Sequence, residues 1–468
     1  MSRPSLLLFV GVPVALSMAV VWACSTGEHA SPSSPTFDGS VVDATFGRSV
    51  IPDAGPRPTC TMVDIAPGKG QKFCELPGTD TPDLHVPDGF CAREFTTTPV
   101  LEARVLRFAP NGDLFVAAPS MLTPGGAADG AGAIVVLPDD DGDGRADAVL
   151  NFAGPSPRNG GTCATLESDP KNMSCVHGLL FADGYLYFTR SDEIRRLPYT
   201  TKQRVAPAAP SELVAKVSGA GISDVRWTHT LAQAKDGSIY VSRGRGDTVA
   251  CSTEEMTHGA VFAAHVEGDA GLPVQTELVA DGFRNPMYLR CSPGSCGDCY
   301  AAELTGDNWG GVGGLEKLAL LEGKGASWGF PCCVRQNLPH PSSVSQNCGN
   351  IGRELVSIPL HDTPFGLDFD RGGFPGEYRH GLFVALHGVS TSFGGTGVVF
   401  VKTDPVSLRP LEAIDGIPVP PVMFVNGVNK PRWRATDVVF APDGRMFIAD
   451  DTEGKIYWVA PRTLAAQL

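Results

Sequence analysis

One short pattern recurs along the chain: an apolar residue, a tight turn built on glycine, then alternating β-formers ending on a small residue. The copies read FAPNGDLFVA (108–117), FADGYLYFT (181–189), AKDGSIYVS (234–242) and FAPDGRMFIA (440–449). A degenerate copy reads FPGEYRHGLFVA (374–385), and CGDCYAAE (296–303) fits more loosely. Asn-Gly and Asp-Gly between β-rich runs are the strongest short hairpin signals, because the turns that match strand twist need positive φ. The turn glycines fall at Gly112, Gly184, Gly237, Gly297, Gly381 and Gly444, at intervals of 72, 53, 60, 84 and 63 residues.

Four strands of five or six residues, with their loops, fill about 50 to 60 residues. Six units at this spacing predict an all-β fold, a six-bladed β-propeller of four-stranded antiparallel blades. A β-sandwich or barrel is the alternative, but its turns would recur every 8–12 residues or so without the longer superperiod. Amphipathic helical patterning is scarce, and 55 Gly and 39 Pro punctuate the chain densely.

The first residues read as a targeting segment. Arg3 precedes an uncharged apolar run, Leu6 to Ala23, that ends in VWAC. This is a secretory signal (1–23) with a lipoprotein-type ending, which makes Cys24 the lipidation site; simple signal cleavage is the alternative. Residues 24–59, rich in Ser, Pro and Gly, read as a disordered tether to a propeller over 60–468. The expected localisation is therefore exported and held on the cell envelope, on its periplasmic or surface face, with the membrane contacted through the lipid.

Of 13 Cys, 12 remain once Cys24 is acylated, an even number suited to an oxidising compartment. Local disulfide candidates are Cys60 with Cys74, Cys163 with Cys175, and a pair within CSPGSCGDC (291–299). Zinc at the Cys296–Cys299 CxxC is the competing reading. Adjacent Cys332 and Cys333 predict two separate bridges rather than one vicinal bridge. Net charge is −14 and no basic run alternates with aromatics, so no nucleic-acid partner is expected.

In a propeller the residues just before each glycine-turn hairpin lie close to the central axis. Here they include Arg104, His177, His229, the Arg284-Asn285 pair in DGFRNPM (281–287), and Arg434. A neutral histidine suits removal of a hydroxyl proton, which makes His177 and His229 candidate bases. Each also fits a tunnel-lining histidine that only bonds a neighbouring blade, and Arg284 fits a buried ion pair. In PDDDGDGRAD (138–147), Asp139, Asp141, Asp143 and Asp147 take positions 1, 3, 5 and 9 of a calcium loop. Leu150 stands where a bidentate glutamate would close it, so a solvated acidic turn is the alternative. No GxSxG elbow, P-loop or HExxH motif occurs.

Over most of residues 88–462 the chain resembles the glucose/sorbosone dehydrogenases, six-bladed propellers that use pyrroloquinoline quinone (PQQ). LVADGFRNPMYLR looks like the family's GxRNPxG stretch and LLEGKGASWGFPCC like its GxxYGWPxC stretch. TPFGLDFDRGGFPGEYRHGLFVALHG is similar to its fifth blade, and VVFAPDGRMFIADDTEGKIYWV to its closing one. The resemblance implies that Arg284 and Asn285 contact PQQ, with Arg104, Arg434 and His177 as further cofactor contacts. The chemistry agrees, because a tricarboxylate ortho-quinone calls for bidentate arginines. The family's H-x-T-R-T-L reads Arg226-Trp-Thr-His229-Thr-Leu231 here, so the base role falls on His229. The implied activity is oxidation of a sugar or related alcohol or aldehyde, with PQQ and Ca²⁺ as cofactors and a separate electron acceptor. A non-catalytic propeller lipoprotein binding a carbohydrate or protein partner is the alternative. A calcium-dependent lactonase-like propeller would show a central Glu/Asp/Asn ring, which is not evident.

Overall fold

Every glycine-turn unit is the first hairpin of a four-stranded blade. The computed structural model describes residues 59–62, 72–121, 131–156, 169–190, 192–217, 229–244, 251, 259–268, 271–306, 315–322, 325–359, 361–388, 396–411, 419–427 and 433–462. These residues form six blades in chain order around a ring, each built on four antiparallel strands and two of them carrying a fifth. A separate two-stranded hairpin pairs Cys333–Arg335 with Leu338–Pro339, and only short 3₁₀ turns occur as helix. The innermost strands are Val105–Phe108, Val176–Ala182, Leu231–Gln233, Asn285–Cys291, Pro364–Phe369 and Ala435–Phe440. They begin blades 1 to 6 respectively.

The repeated turns behave as their sequences require. Gly112, Gly184, Gly237, Gly297 and Gly444 all take positive φ, between 66° and 93°. The degenerate copy differs. Its turn is a 3₁₀ helix over Gly376–Tyr378, and Gly381 is instead small because the Phe400 ring occupies the space of a Cβ.

Both faces of each blade pack against neighbours, so strands such as Leu382–Leu386 are buried at every position. The alternation expected of these runs is therefore not kept in such strands, which are apolar at consecutive positions. Aromatic wedges fill the inter-blade seams. Phe115, Phe152, Phe181 and Tyr199 pack between blades 1 and 2, and Phe374, Phe383, Phe424 and Phe440 between blades 5 and 6.

The ring closes by joining chain ends. Phe90–Glu94, well ahead of blade 1, is the outer strand of blade 6 and pairs with Lys455–Pro461. This pairing supplies the fourth strand of the last blade and fastens it to the segment that precedes the first.

Innermost strands have one edge without a strand partner, and neighbouring blades satisfy it with side chains. Thr230 Oγ1 donates to Met287 O and accepts from Leu289 N. Asp368 Oδ2 accepts from Phe440 N, and Asp437 Oδ2 accepts from Leu106 N. Each bond links one blade's inner strand to the next, as buried backbone donors demand. Gly366 makes room for this stitching, because the Asp437 carboxylate fills the place of its Cβ.

Five disulfides join described cysteines: Cys60–Cys296, Cys74–Cys91, Cys251–Cys332, Cys291–Cys299 and Cys333–Cys348. The local Cys60–Cys74 expectation is thus corrected. Pairing with the chain's end puts Cys91 beside Cys74, and the ring brings Cys296 to Cys60. The bridge within 291–299 and the separate bridges of Cys332 and Cys333 are as expected. The CxxC cysteines are both in disulfides, which removes zinc there. Cys163 and Cys24 lie outside the described residues; Cys175 is disulfide-bonded.

Candidate functional site

All the cationic and histidine positions singled out above lie at or beside the start of an inner strand, hence on one mouth of the ring. Arg104 precedes Val105–Phe108, and its side chain is 20% exposed. Its Nη2 lies 3.1 Å from Asp451 Oδ2 and 3.3 Å from Glu102 Oε2. Arg434 precedes Ala435–Phe440 and is half-buried. Its Nη2 approaches His387 Nδ1 at 2.6 Å and donates to Gly388 O at 3.2 Å, while Nε donates to His387 O at 3.3 Å. His387 Nε2 lies 3.0 Å from Asp451 Oδ2. Asp451 therefore joins the two predicted arginines into one group. The nearby cations hold its carboxyl below the usual range despite burial, which by itself would raise it.

His177 and His229 meet across the seam between blades 2 and 3. Thr189 Oγ1 accepts from Gly178 N at 2.7 Å and donates to His229 O at 2.5 Å. A Cβ on Gly178 would stand 2.8 Å from that carbonyl, so glycine beside His177 lets the blades approach. Both histidines are buried, and burial pushes each down to about 3. Arg104 adds to this effect for His177, and Arg243 does so for His229. Both rings are neutral at pH 7. Neither ring nitrogen of His229 has a protein partner among the described residues. Arg226 lies outside them.

Arg284 and Asn285 open blade 4. Arg284 donates from N to Glu303 Oε1 and from Nη1 to Thr305 O, both at 2.8 Å, so its guanidinium is committed to its own blade. Asn285 Nδ2 donates to Met287 Sδ at 2.9 Å, and its buried Oδ1 has no protein partner among the described residues. Beneath them, burial pushes Glu316 up to about 8 even though it accepts from Thr305 N and His361 N.

The centre of the mouth is filled. Tyr288 of blade 4 donates to Arg104 O of blade 1. Its ring packs edge-on to His177 at 5.8 Å and against Phe365 at 5.6 Å, and Phe365 stacks on His387 at 4.2 Å. Sequence reasoning missed Tyr288, Glu102, His387 and Asp451. His387 and Asp451 directly follow the second strands Leu382–Leu386 and Met446–Asp450, which run back to the mouth where the first strands begin. The second residue after the small terminal residue of these two repeats, Ala385 and Ala449, was the available signal.

The acidic loop lies elsewhere. It joins the third and fourth strands of blade 1, Ala131–Leu137 and Leu150–Ser156, and so sits on the hairpin face opposite the mouth. Carboxylate oxygens of Asp139, Asp141 and Asp143 come within 4.8 Å of one another. Asp147 is not in that group; its Oδ2 accepts from Asp140 N at 2.6 Å. A cavity of about 450 Å³ adjoins this loop, lined in part by Asn111, Asp113, Arg204 and Arg445.

No protein-family model matches the chain, and no curated protein matches it. Solved structures do. The iodide and calcium structures of the Trichoderma reesei carbohydrate-active enzyme of family AA12 superpose with a TM-score of 0.62 at 15% and 14% identity. They match over 82% and 83% of this chain and 99% of theirs. The PQQ domain of Coprinopsis cinerea pyranose dehydrogenase gives 0.58 at 14% identity, over 82% of this chain and 99% of that one. The soluble aldose sugar dehydrogenase of Escherichia coli gives 0.50 at 13% identity, over 80% and 100%. At such identities the likeness is one of fold: the chain is a six-bladed β-propeller with the architecture of these structures.

Proposed function

We propose that the protein is a PQQ-dependent dehydrogenase oxidising a sugar or related alcohol or aldehyde at the propeller mouth. The observation that carries this reading is the pairing of Arg104 and Arg434 through Asp451 at one mouth. Nη1 of each arginine has no protein partner among the described residues. Two such guanidiniums suit a ligand rich in carboxylates. The orphaned buried polar atoms, Asn285 Oδ1 and the His229 nitrogens (one donor and one acceptor in the neutral ring), are groups that a bound ligand would satisfy. The solved relatives by fold include a PQQ domain and sugar dehydrogenases.

In this mechanism Arg104 and Arg434 bind cofactor carboxylates, and Asn285 fixes orientation. Arg284 supports that position through Thr305, and His177 lines the site. When bound, PQQ supplies the two-electron acceptor. His229, neutral at pH 7, takes the substrate hydroxyl proton on a ring nitrogen. Ca²⁺ would be held by Asp139, Asp141 and Asp143 as a structural ion of the hairpin face. Export, lipid anchoring at Cys24 and delivery of electrons to a separate acceptor complete the proposal.

Reconstitution with PQQ and Ca²⁺ tests it. The expected result is a shift of the quinone absorbance and dye reduction with some member of an aldose panel. His229→Gln should lower turnover about 10²–10⁴-fold. No absorbance change together with no dye reduction would sink the enzyme. The second reading, a non-catalytic lipoprotein binding a carbohydrate or protein partner, is favoured by the carboxylates already paired with Arg104. It predicts sugar or partner binding without dye reduction.

A further inference from the structure

The contacts of His387 assign its protons. Arginine donates hydrogen bonds and accepts none, so the 2.6 Å approach of Arg434 Nη2 requires a lone pair on His387 Nδ1. The ring proton then sits on Nε2, which donates to Asp451 Oδ2 at 3.0 Å. Asp451 turns the same carboxylate oxygen to Arg104 Nη2 at 3.1 Å. Stacking on Phe365, at 4.2 Å and 8° between planes, fixes the ring against rotation.

We infer that His387 is a positioning residue, a neutral hydrogen-bond relay that seats Arg434 directly and Arg104 through Asp451. This deepens, and rests on, the reading of the mouth as the site for PQQ carboxylates. The charged groups that face the relay are Asp451, Arg434 and Arg104, with Glu102 behind Arg104 and Asp450 at the Arg434 amide. A second proton would put N–H on Nδ1, pointing at a guanidinium, and Arg434 would have to leave its seat. Burial and the two arginines oppose that proton and Asp451 favours it; His387 is held down at about 4.

Histidine ¹⁵N NMR on the cofactor-free protein tests the relay, with the His387 signals identified by their loss in His387→Phe. Expected at pH 7 are a bare Nδ1 and a protonated Nε2, with Nδ1 shifting in Arg434→Ala. A protonated Nδ1 at pH 7 overturns the inference whether or not PQQ binds. The second readout is PQQ affinity. His387→Phe keeps the stacked ring and should weaken binding about 10- to 100-fold, the scale seen when groups that orient ligands are lost. His387→Gln, which has one acceptor and one donor, should recover part of it. Wild-type affinity in His387→Phe also overturns the relay. If the wild-type protein itself binds no PQQ, the dehydrogenase reading falls, and the NMR result alone decides the relay.

Discussion

Tyr288 donates its hydroxyl to the backbone carbonyl of Arg104, from blade 4 to blade 1. In a ring of six these blades stand opposite, so this bond spans the axis. The tyrosine is buried, and desolvation holds its hydroxyl well above its ordinary value, so it remains a donor at any physiological pH. At this level the axis is packed side chain, with Tyr288 between His177 and Phe365.

Tyr288→Phe should therefore cost about 1–2 kcal/mol, because it leaves the Arg104 carbonyl without its donor. Tyr288→Ala should cost about 3–5 kcal/mol by opening a cavity among His177, Phe365 and Met287. Denaturant unfolding of both variants checks the ratio. Equal losses would mean that packing around the ring contributes nothing beyond the hydroxyl.

The seam between blades 5, 6 and 1 gives a coupled prediction. Asp437 pairs with Arg107 at 3.2 Å while its carboxylate occupies the Cβ space of Gly366. Asp437→Ala should cost about 3–5 kcal/mol, since Arg107 is left buried and unpaired. Gly366→Ala should be severe alone and only partly relieved in the Asp437→Ala background, since removing the carboxylate still leaves the Asp437 Cα 2.4 Å from the added methyl. A double-mutant cycle measures that difference; strict additivity would mean the two side chains do not compete for the space.

Glu316 gives a pH dependence. Its carboxyl is raised from 4.5 to about 8, so the folded state keeps a proton that the unfolded chain has lost. Such a group contributes its full stability below about pH 4.5 and loses it as pH rises towards 8. Relative to wild type, Glu316→Gln should become more stable by about 3–5 kcal/mol between pH 4.5 and 8.5. Taking the difference between the two proteins cancels the other titrating groups. A pH-independent difference would show that Glu316 is already ionised in the fold.

Non-reducing peptide mapping should recover Cys60 with Cys296 and separate partners for Cys332 and Cys333. The first bridge spans 236 residues and ties residues 59–62 to the first hairpin of blade 4, where Ser295 N also donates to Thr61 O. Cys60→Ser should lose about 2–4 kcal/mol, the range for bridges that close long loops. A Cys60–Cys74 peptide would contradict the ring closure described above.

The sequence determined the architecture because hairpins are local. Asn-Gly and Asp-Gly turns with β-runs on either side carry their own conformational reason, and their superperiod counts the blades. It also located the arginines and histidines beside the inner strands, since the segment ahead of each hairpin must start at the mouth. Only the tertiary structure decided which of them meet. Asp451 reaches Arg104, and His387 reaches Arg434, because second strands of different blades return to one rim, a relation between segments far apart in sequence. The same distance hid Phe90–Glu94 as the closing strand and Cys296 as the partner of Cys60. Arg284 shows the limit most clearly. The Gly282 and Pro286 turn around it is legible in DGFRNPM, but the direction of its guanidinium is set by Thr305 on the next strand.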